Sequence, residues 1–510
     1  MKKLFLLILL SVLGFSPILT GEADTVKLNI NEYTLKNGMK VIILERHTAP
    51  TVGVTIAFKV GSANEKPGIT GISHIIEHLI AGKGTQKIGT KDYQGEKKIL
   101  DKMDTLYEKI NALRAKIASQ PPDETSIEKQ ELKSLESELA DLKTKAMTYR
   151  IVDEDSMIYK RHGSVGNNAS TSEEITNYYC ELPANKLELW AWLESDRFKN
   201  PVWRDFWEEK DVIMEERRMR SEASPRGVLY EKFKALCYQV HPLRWPIIGS
   251  MTDIQSITKD QVKEYFHQYY SPNNAVAVIV GDVDSEKTLE LVKKYFESIP
   301  PSPKPVPQMT VIEPKQEEER RLKIELDSQP MMLIGHHTVT IGHKDDYILD
   351  IVSCILGGGR TSRLFKSLVL DKNLCTTVYG YNDVGKYAGL FIFGAMPRHP
   401  HTPEEVEQAI YEEIEKLKND VTDEEIIKAK KNLSANFLRQ LDNNLGMAQL
   451  LGHYEAIYSW KYISEVKARW DAVTQEDVKE VISKYFVSTN KNVAVLVTKK
   501  SQKPGEDKKE

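Results

Sequence analysis

Apolar positions change their spacing several times along the chain, and each change marks an element. Over residues 26–43 they alternate on either side of Lys36-Asn37-Gly38. Asn-Gly supplies the positive φ of a tight turn, so this stretch predicts a β-hairpin. Residues 52–60, rich in branched side chains, predict a third strand, and residues 61–68 a loop. Then comes Gly71-Ile72-Ser73-His74-Ile75-Ile76-Glu77-His78-Leu79-Ile80, a short helical run packed on that sheet. Next, Ile99, Met103, Leu106, Ile110, Leu113 and Ile117 alternate spacings of four and three. Leu132, Leu135, Leu139, Leu142 and Ala146 do the same beyond Pro121-Pro122. Two heptad stripes around a Pro-Pro break predict an antiparallel helical hairpin. Two readings of it stay open: an arm that contacts a partner or substrate, or a self-packed insertion with a solvated outer face.

Residues 166–179 begin with short polar side chains and continue in alternation, which predicts a strand at a sheet edge. Residues 187–197 and 203–222 predict helices. A Pro-rich stretch runs from Ser298 to Pro305. Beyond it the pattern repeats: strands over 322–326 and 331–340, a helix over 347–356 where the His-bearing helix lay, strands over 376–381 and 389–396, then long helices.

Composition narrows the class. A chain of 510 residues with net charge −4 accommodates two large domains. Its charge offers no basic field to nucleic acid or an anionic membrane, and neither is expected as a partner. Cys180, Cys237, Cys354 and Cys375 form no Cys-x-x-Cys pair, against a thiolate zinc site or a dithiol motif. Their pairing stays open. Lys2 and Lys3, an apolar core over 4–13, and small Gly21 and Ala23 predict an export signal over residues 1–23. That apolar core is shorter than the roughly 20 residues of a spanning helix. An exported, periplasmic protein without stable membrane insertion is expected.

The candidate chemistry lies in the helix over 71–80. A period of 3.6 stacks His74 and His78 on one face, with Glu77 beside them. Two neutral imidazoles four apart are natural zinc ligands, and the carboxylate can take a proton from water. The order His-x-x-Glu-His is the inverzincin signature. Zinc then still lacks a third protein ligand. The helix over 203–222 carries Glu208, Glu209, Glu215, Glu216 and Glu222, and Glu209 and Glu216, seven apart, can face one site. His336, His337 and His343 have no helical partners and read as structural.

With these residues in place, the chain resembles the pitrilysin-type zinc peptidases, a family that includes insulin-degrading enzyme and the mitochondrial processing peptidase. The resemblance covers about residues 28–497. It rests on His74-Ile75-Ile76-Glu77-His78, the strand from Asn168-Ala169, and Glu209-Lys210-Asp211-Val212-Ile213-Met214-Glu215-Glu216. Further matches are His241-Pro242, Tyr270-Ser271-Pro272-Asn273-Asn274, Gly281-Asp282, Leu356-Gly357-Gly358-Gly359 and Ser362-Arg363-Leu364. It implies two homologous α+β domains facing each other across a clam-like cleft. Their expected bounds are 24–298, carrying the metal, and 315–498, without it, with a linker over 299–314 and a disordered tail over 499–510. The long gap between His78 and Glu216 makes the hairpin over 97–150 an insertion in the first domain.

The resemblance also implies roles. Glu216 becomes the third ligand of one Zn2+ per chain, Glu77 the general base, and Glu209 the carboxylate that orients a ligand histidine. Asn168 and Ala169 become the edge that takes a peptide substrate. Active single-chain members carry an Arg/Tyr pair in the second domain, but alignment puts Val369 and Thr376 there. This implies the zinc-bearing endopeptidase subunit of a heterodimer, whose sister subunit supplies the pair. The alternatives are a stand-alone peptidase, with Tyr379, Tyr381 or Arg363 substituting in space, and a non-catalytic assembly subunit.

Overall fold

The computed structural model describes residues 28–121 and 125–499. The expected export signal and residues 500–510 of the expected tail lie outside the described residues. The chain opens with β1 (Ile30–Thr34), β2 (Lys40–Glu45), β3 (Thr51–Phe58), α1 (Ile72–Ile80), α2 (Tyr93–Ala118), α3 (Ser126–Tyr149) and α4 (Glu154–Arg161). Then follow β4 (Val165–Thr171), β5 (Thr176–Pro183), α5 (Leu187–Lys199), α6 (Phe206–Arg217), α7 (Pro225–Cys237), α8 (Met251–Ser256), α9 (Lys259–Tyr269), β6 (Ala275–Gly281) and α10 (Ser285–Phe296). The second half holds β7 (Arg320–Leu326), β8 (Met331–His337), α11 (Lys344–Gly357), β9 (Cys375–Asp383) and β10 (Leu390–Pro397). It ends with α12 (Pro403–Asp420), α13 (Asp423–Gln440), α14 (Asn444–Ile457), α15 (Tyr462–Ala472), α16 (Gln475–Tyr485) and β11 (Lys491–Thr498).

The repeat is explicit in the sheets. The first has order β1-β2-β6-β3-β5-β4 and the second β7-β11-β8-β10-β9. Each holds one comparable parallel pair, β2 with β6 (Val41 opposite Ala277) and β7 with β11 (Arg321 opposite Val493). Each half then runs strand, strand, five helices, strand. β4 and β9 are therefore counterparts, as are α1 and α11, and α7 and α14.

The single strand expected over 166–179 is two. Ser172 caps a turn between β4 and β5: its hydroxyl accepts from the Ile175 amide at 3.1 Å, and its amide donates to the Ile175 carbonyl at 2.8 Å. A serine that bonds the backbone locally favours a turn over an extended run. β4 is one of the two edge strands of its sheet, β1 being the other.

Each sheet is covered partly by a helix from the other half. α7 packs on β7, β8 and β11, while α14 packs on β3, β5 and β6. Glycine permits both approaches. A Cβ at Gly53 of β3 would lie 2.4 Å from backbone at Asn444, and one at Gly335 of β8 would lie 2.7 Å from the Phe233 ring. Side chains from both halves accordingly share cores: Ile42 and Val278 pack with Met447 and Leu451, and Leu229 and Phe233 with Leu333 and Ile392. The α2–α3 hairpin has its own small core of Met103, Leu106, Ile110, Leu139 and Ala146. The middle of α2 is held to α6 by the Tyr107 hydroxyl, which donates to Glu208 at 2.6 Å. The four cysteines are free.

On α11, Asp346 and Asp350 stand one turn apart. They share the Asn382 amide, and Trp470 Nε1 donates to Asp350 at 2.9 Å. Burial pushes both carboxyls above the ordinary range, and the Asp346 charge pushes Asp350 further. The folded chain thus holds protons there that the unfolded chain releases near pH 4. Stability is retained below that pH and declines as pH rises toward 7. Asp350→Asn is expected to flatten this decline, gaining about 1–3 kcal/mol on wild type between pH 5 and 7.5. Denaturant midpoints at the two pH values measure it, and parallel slopes would refute it.

Candidate metal centre

α1 is fixed at its start and along one face. Glu65 accepts the Gly71 and Ser73 amides at 2.6 and 2.9 Å, satisfying donors that open the helix. Ile72, Ile75, Ile76 and Leu79 are buried in one core with Val54, Ile56 and Phe206. That burial sets the rotation of the helix and turns His74, Glu77 and His78 toward a cavity. α6 is set the same way: Phe206 and Ile213 are buried, and Glu209 and Glu216, two turns apart, face α1.

Glu216 Oε2 lies 3.6 Å from His78 Nε2 and 4.0 Å from His74 Nε2. One donor atom from each of the three residues falls within 4.8 Å of the others, the one such group among the described residues. Tetrahedral ligands about 2.0–2.1 Å from zinc sit roughly 3.3 Å apart, so a small contraction brings these donors to coordination distance. The donor set fits zinc chemically as well. Burial pulls His74 down to about 3 and keeps it neutral, as a ligand must be. Its ring packs edge-on against that of His78, with centroids 4.7 Å apart.

Neighbouring groups hold each donor. Glu209 Oε2 meets His78 Nδ1 at 3.2 Å, and its other oxygen meets Lys83 Nζ at 2.5 Å. Burial pulls His78 down, but Glu209 and the other nearby carboxylates outweigh it and leave the imidazole raised. Arg220 takes Glu216 Oε1 at 2.6 Å, which leaves Oε2 facing the histidines. Arg220 lies in a π-helical turn, Arg218–Glu222, that continues α6, a distortion that recurs at functional sites. Glu77 accepts a hydrogen bond from the Thr171 hydroxyl at 2.5 Å, and burial raises its pKa.

The cavity is about 660 Å³, and Asn168, Ala169 and Thr171 of edge strand β4 form one wall. Among the described residues, every wall residue comes from the first half. The second-half candidates lie elsewhere. Val369 packs against the core that holds Met447 and Leu451, and Thr376 sits on β9. Arg363 is held by Glu425 at 2.6 Å and Asp420 at 2.6 Å. Tyr379 and Tyr381 line a separate hollow. His336 is fully buried among aromatic rings, His337 bonds the Cys237 carbonyl, and His343 caps α11.

Thr171, Lys83 and Arg220 were not expected. Arg220, four residues past Glu216, carries a helical-spacing signal; Thr171 and Lys83 arrive from a strand end and a loop, where no periodicity points to them.

Residues 40–111 match the profile of the insulinase family, peptidase family M16, and residues 256–433 that of the peptidase M16 inactive domain. Zinc protease PqqE of Helicobacter pylori is 30% identical over 473 residues, 91% of each chain. The mitochondrial-processing peptidase subunit beta of Bos taurus is 26% identical over 64% of this chain and 69% of its own. A Helicobacter pylori protease structure superposes with a TM-score of 0.77 at 28% identity, covering 92% of this chain and all of that one. With relatives named zinc proteases aligned along nearly its whole length, the chain belongs to the insulinase family of peptidases, family M16.

Proposed function

We propose that this chain is a zinc-dependent endopeptidase for extended peptides and the catalytic subunit of a heterodimer. The observation that carries the reading is the convergence of His74, His78 and Glu216 on one point, with Glu77 beside it and a free strand edge along the cavity. One zinc ion, held by those three residues, would supply Lewis acidity toward water and the scissile carbonyl. Glu77 takes the proton of the attacking water and passes it to the leaving amine. The Thr171 hydroxyl keeps its carboxylate aimed. Glu209 holds the His78 ring by Nδ1, so that Nε2 stays turned to Glu216. Asn168 and Ala169 of β4 offer main-chain groups to an extended peptide, which adds as a further strand.

The heterodimer reading is supported by what the second half lacks near the cavity: no arginine or tyrosine of that half reaches it among the described residues. A sister subunit would bring those donors. The test is hydrolysis of a terminally blocked, quenched peptide by the zinc-loaded chain, alone and with its co-purified partner. Activity from the complex that a chelator removes and zinc restores is expected. An inert complex sinks the peptidase reading; full activity of the lone chain sinks the heterodimer. Export to the periplasm predicts a mature N-terminus near Asp24, and a recovered protein still bearing Met1 excludes it. Glu209→Gln is expected to weaken zinc affinity about 10–100-fold, read by competition with a chelating dye; unchanged affinity removes its orienting role.

A further inference from the structure

A second large hollow, about 580 Å³, opens where the first half meets the second, and the metal centre makes no use of it. Three segments wall it: the residues that follow α7, the chain over 311–316, and the ends of β8 and α16 with the β9–β10 loop. Glu313 pins the middle segment there, its carboxylate accepting the amides of Gln239, Val240 and His241 at 2.7, 3.0 and 3.0 Å. The volume falls within the roughly 300–1,000 Å³ of small-molecule sites.

The charge along its walls is of one sign. Lys315, Lys386 and Lys484 line it against a single carboxylate, Glu313, which the three amides occupy. Lys484 is paired with Asp345 at 2.6 Å, whereas Lys315 and Lys386 make no ion pair among the described residues. Lys386 Nζ instead stands over the Tyr387 ring, 5.6 Å from its centroid. His241 adds a neutral donor. It is 4% exposed, and its Nδ1 accepts the Leu243 amide at 3.1 Å. The proton is therefore on Nε2, which bonds nothing among the described residues. The imidazole lies against the rings of Tyr238 and Tyr387, with centroids 5.9 and 5.1 Å away. Thr338, 8% exposed, also lines the hollow, and its hydroxyl has no partner. Buried donors left unpaired are costly, so such groups point to a ligand that pairs with them.

We propose that this hollow binds an aromatic carboxylate, with its ring against Tyr238 and Tyr387 and its carboxylate on His241 Nε2 and Lys386. Nitrogen donors without a competing carboxylate select an anion, and tyrosine faces select an aromatic body over a plain ion. Free aryl acids and the C-terminal Phe or Tyr of a peptide both present this group. Neither the three metal donors nor Glu77 takes part, so the binding is independent of the peptidase reading.

The experiment is isothermal titration calorimetry on the full mature chain, zinc-loaded and chelator-treated, with phenylpropionate, phenylpropanol, inorganic phosphate and acetyl-Ala-Phe. Phenylpropionate is expected to bind about 10-fold tighter than the alcohol or phosphate, and equally in both metal states. His241→Asn keeps an acceptor for the Leu243 amide but removes the Nε2 donor. It should weaken phenylpropionate binding about 10-fold while the unfolding midpoint stays at the wild-type value. Lys386→Met, at an exposed position, should weaken it as well and flatten its salt dependence. Equal affinity for acid and alcohol overturns the proposal, as does phosphate that binds as tightly as the acid. Acid binding that survives both substitutions, or that requires zinc, lies elsewhere and overturns it too. Acetyl-Ala-Phe binding tighter than phenylpropionate identifies a peptide C-terminus as the source, and equal or weaker binding a free acid.

Discussion

Glu77→Gln is expected to lower peptide hydrolysis about 10²–10⁴-fold while zinc per chain stays at the wild-type ratio. The substitution is nearly isosteric, and the amide oxygen can still accept from Thr171, which now bonds Oε2 at 2.5 Å. What is lost is a group able to take a proton. Glu77 is not one of the three clustered donors, so the metal should remain. Two readouts separate the roles: progress curves for the native complex, and elemental zinc against protein concentration. Wild-type turnover would sink the general-base assignment. Loss of zinc with turnover would instead make Glu77 a ligand. The remaining rate measures what the metal site and peptide binding supply without a base.

The metal helix was legible because its signal is local. His74 and His78 stand four apart, so any helix at that point stacks them, and the surrounding Ile and Leu fix which face is buried. Glu209 and Glu216 were legible for the same reason, two turns along one helix. The groups that hold these donors were not. Lys83 reaches Glu209 from a loop, and Thr171 reaches Glu77 from the end of β4. Contacts made across a gap leave no periodic trace. The repeat of strands and helices could be read, yet the exchange of α7 and α14 could not. α14 hints at it, with Leu445, Met447, Leu450 and Leu451 apolar on more than one face. Which sheet such a helix covers is decided by complementary shape, at Gly53 for α14 and at Gly335 for α7.

Arg204→Ala is expected to destabilise the first half by about 3–5 kcal/mol, the largest stability effect predicted for a single side chain here. Arg204 and Glu96 are both fully buried and meet in a two-pronged pair at 2.8 and 2.8 Å. Arg204 Nη1 also donates to the Lys83 carbonyl at 3.1 Å. The pair thus ties the base of α2 to the segment entering α6 and to the loop whose lysine holds Glu209. Truncation leaves the Glu96 carboxylate buried and uncompensated, which is why the loss exceeds that of a surface pair. Arg114 and Glu136, 56% and 42% exposed across the hairpin, make the control: Arg114→Ala should cost about 0–1 kcal/mol. The combined Glu96→Leu, Arg204→Met variant should recover most of the lost stability, because no charge is then left in the interior. Denaturant midpoints rank the variants, and amide exchange in α2 and α6 localises the change. Equal losses in the single and double variants would place the stabilisation in shape rather than charge, and a wild-type midpoint for Arg204→Ala would sink the claim.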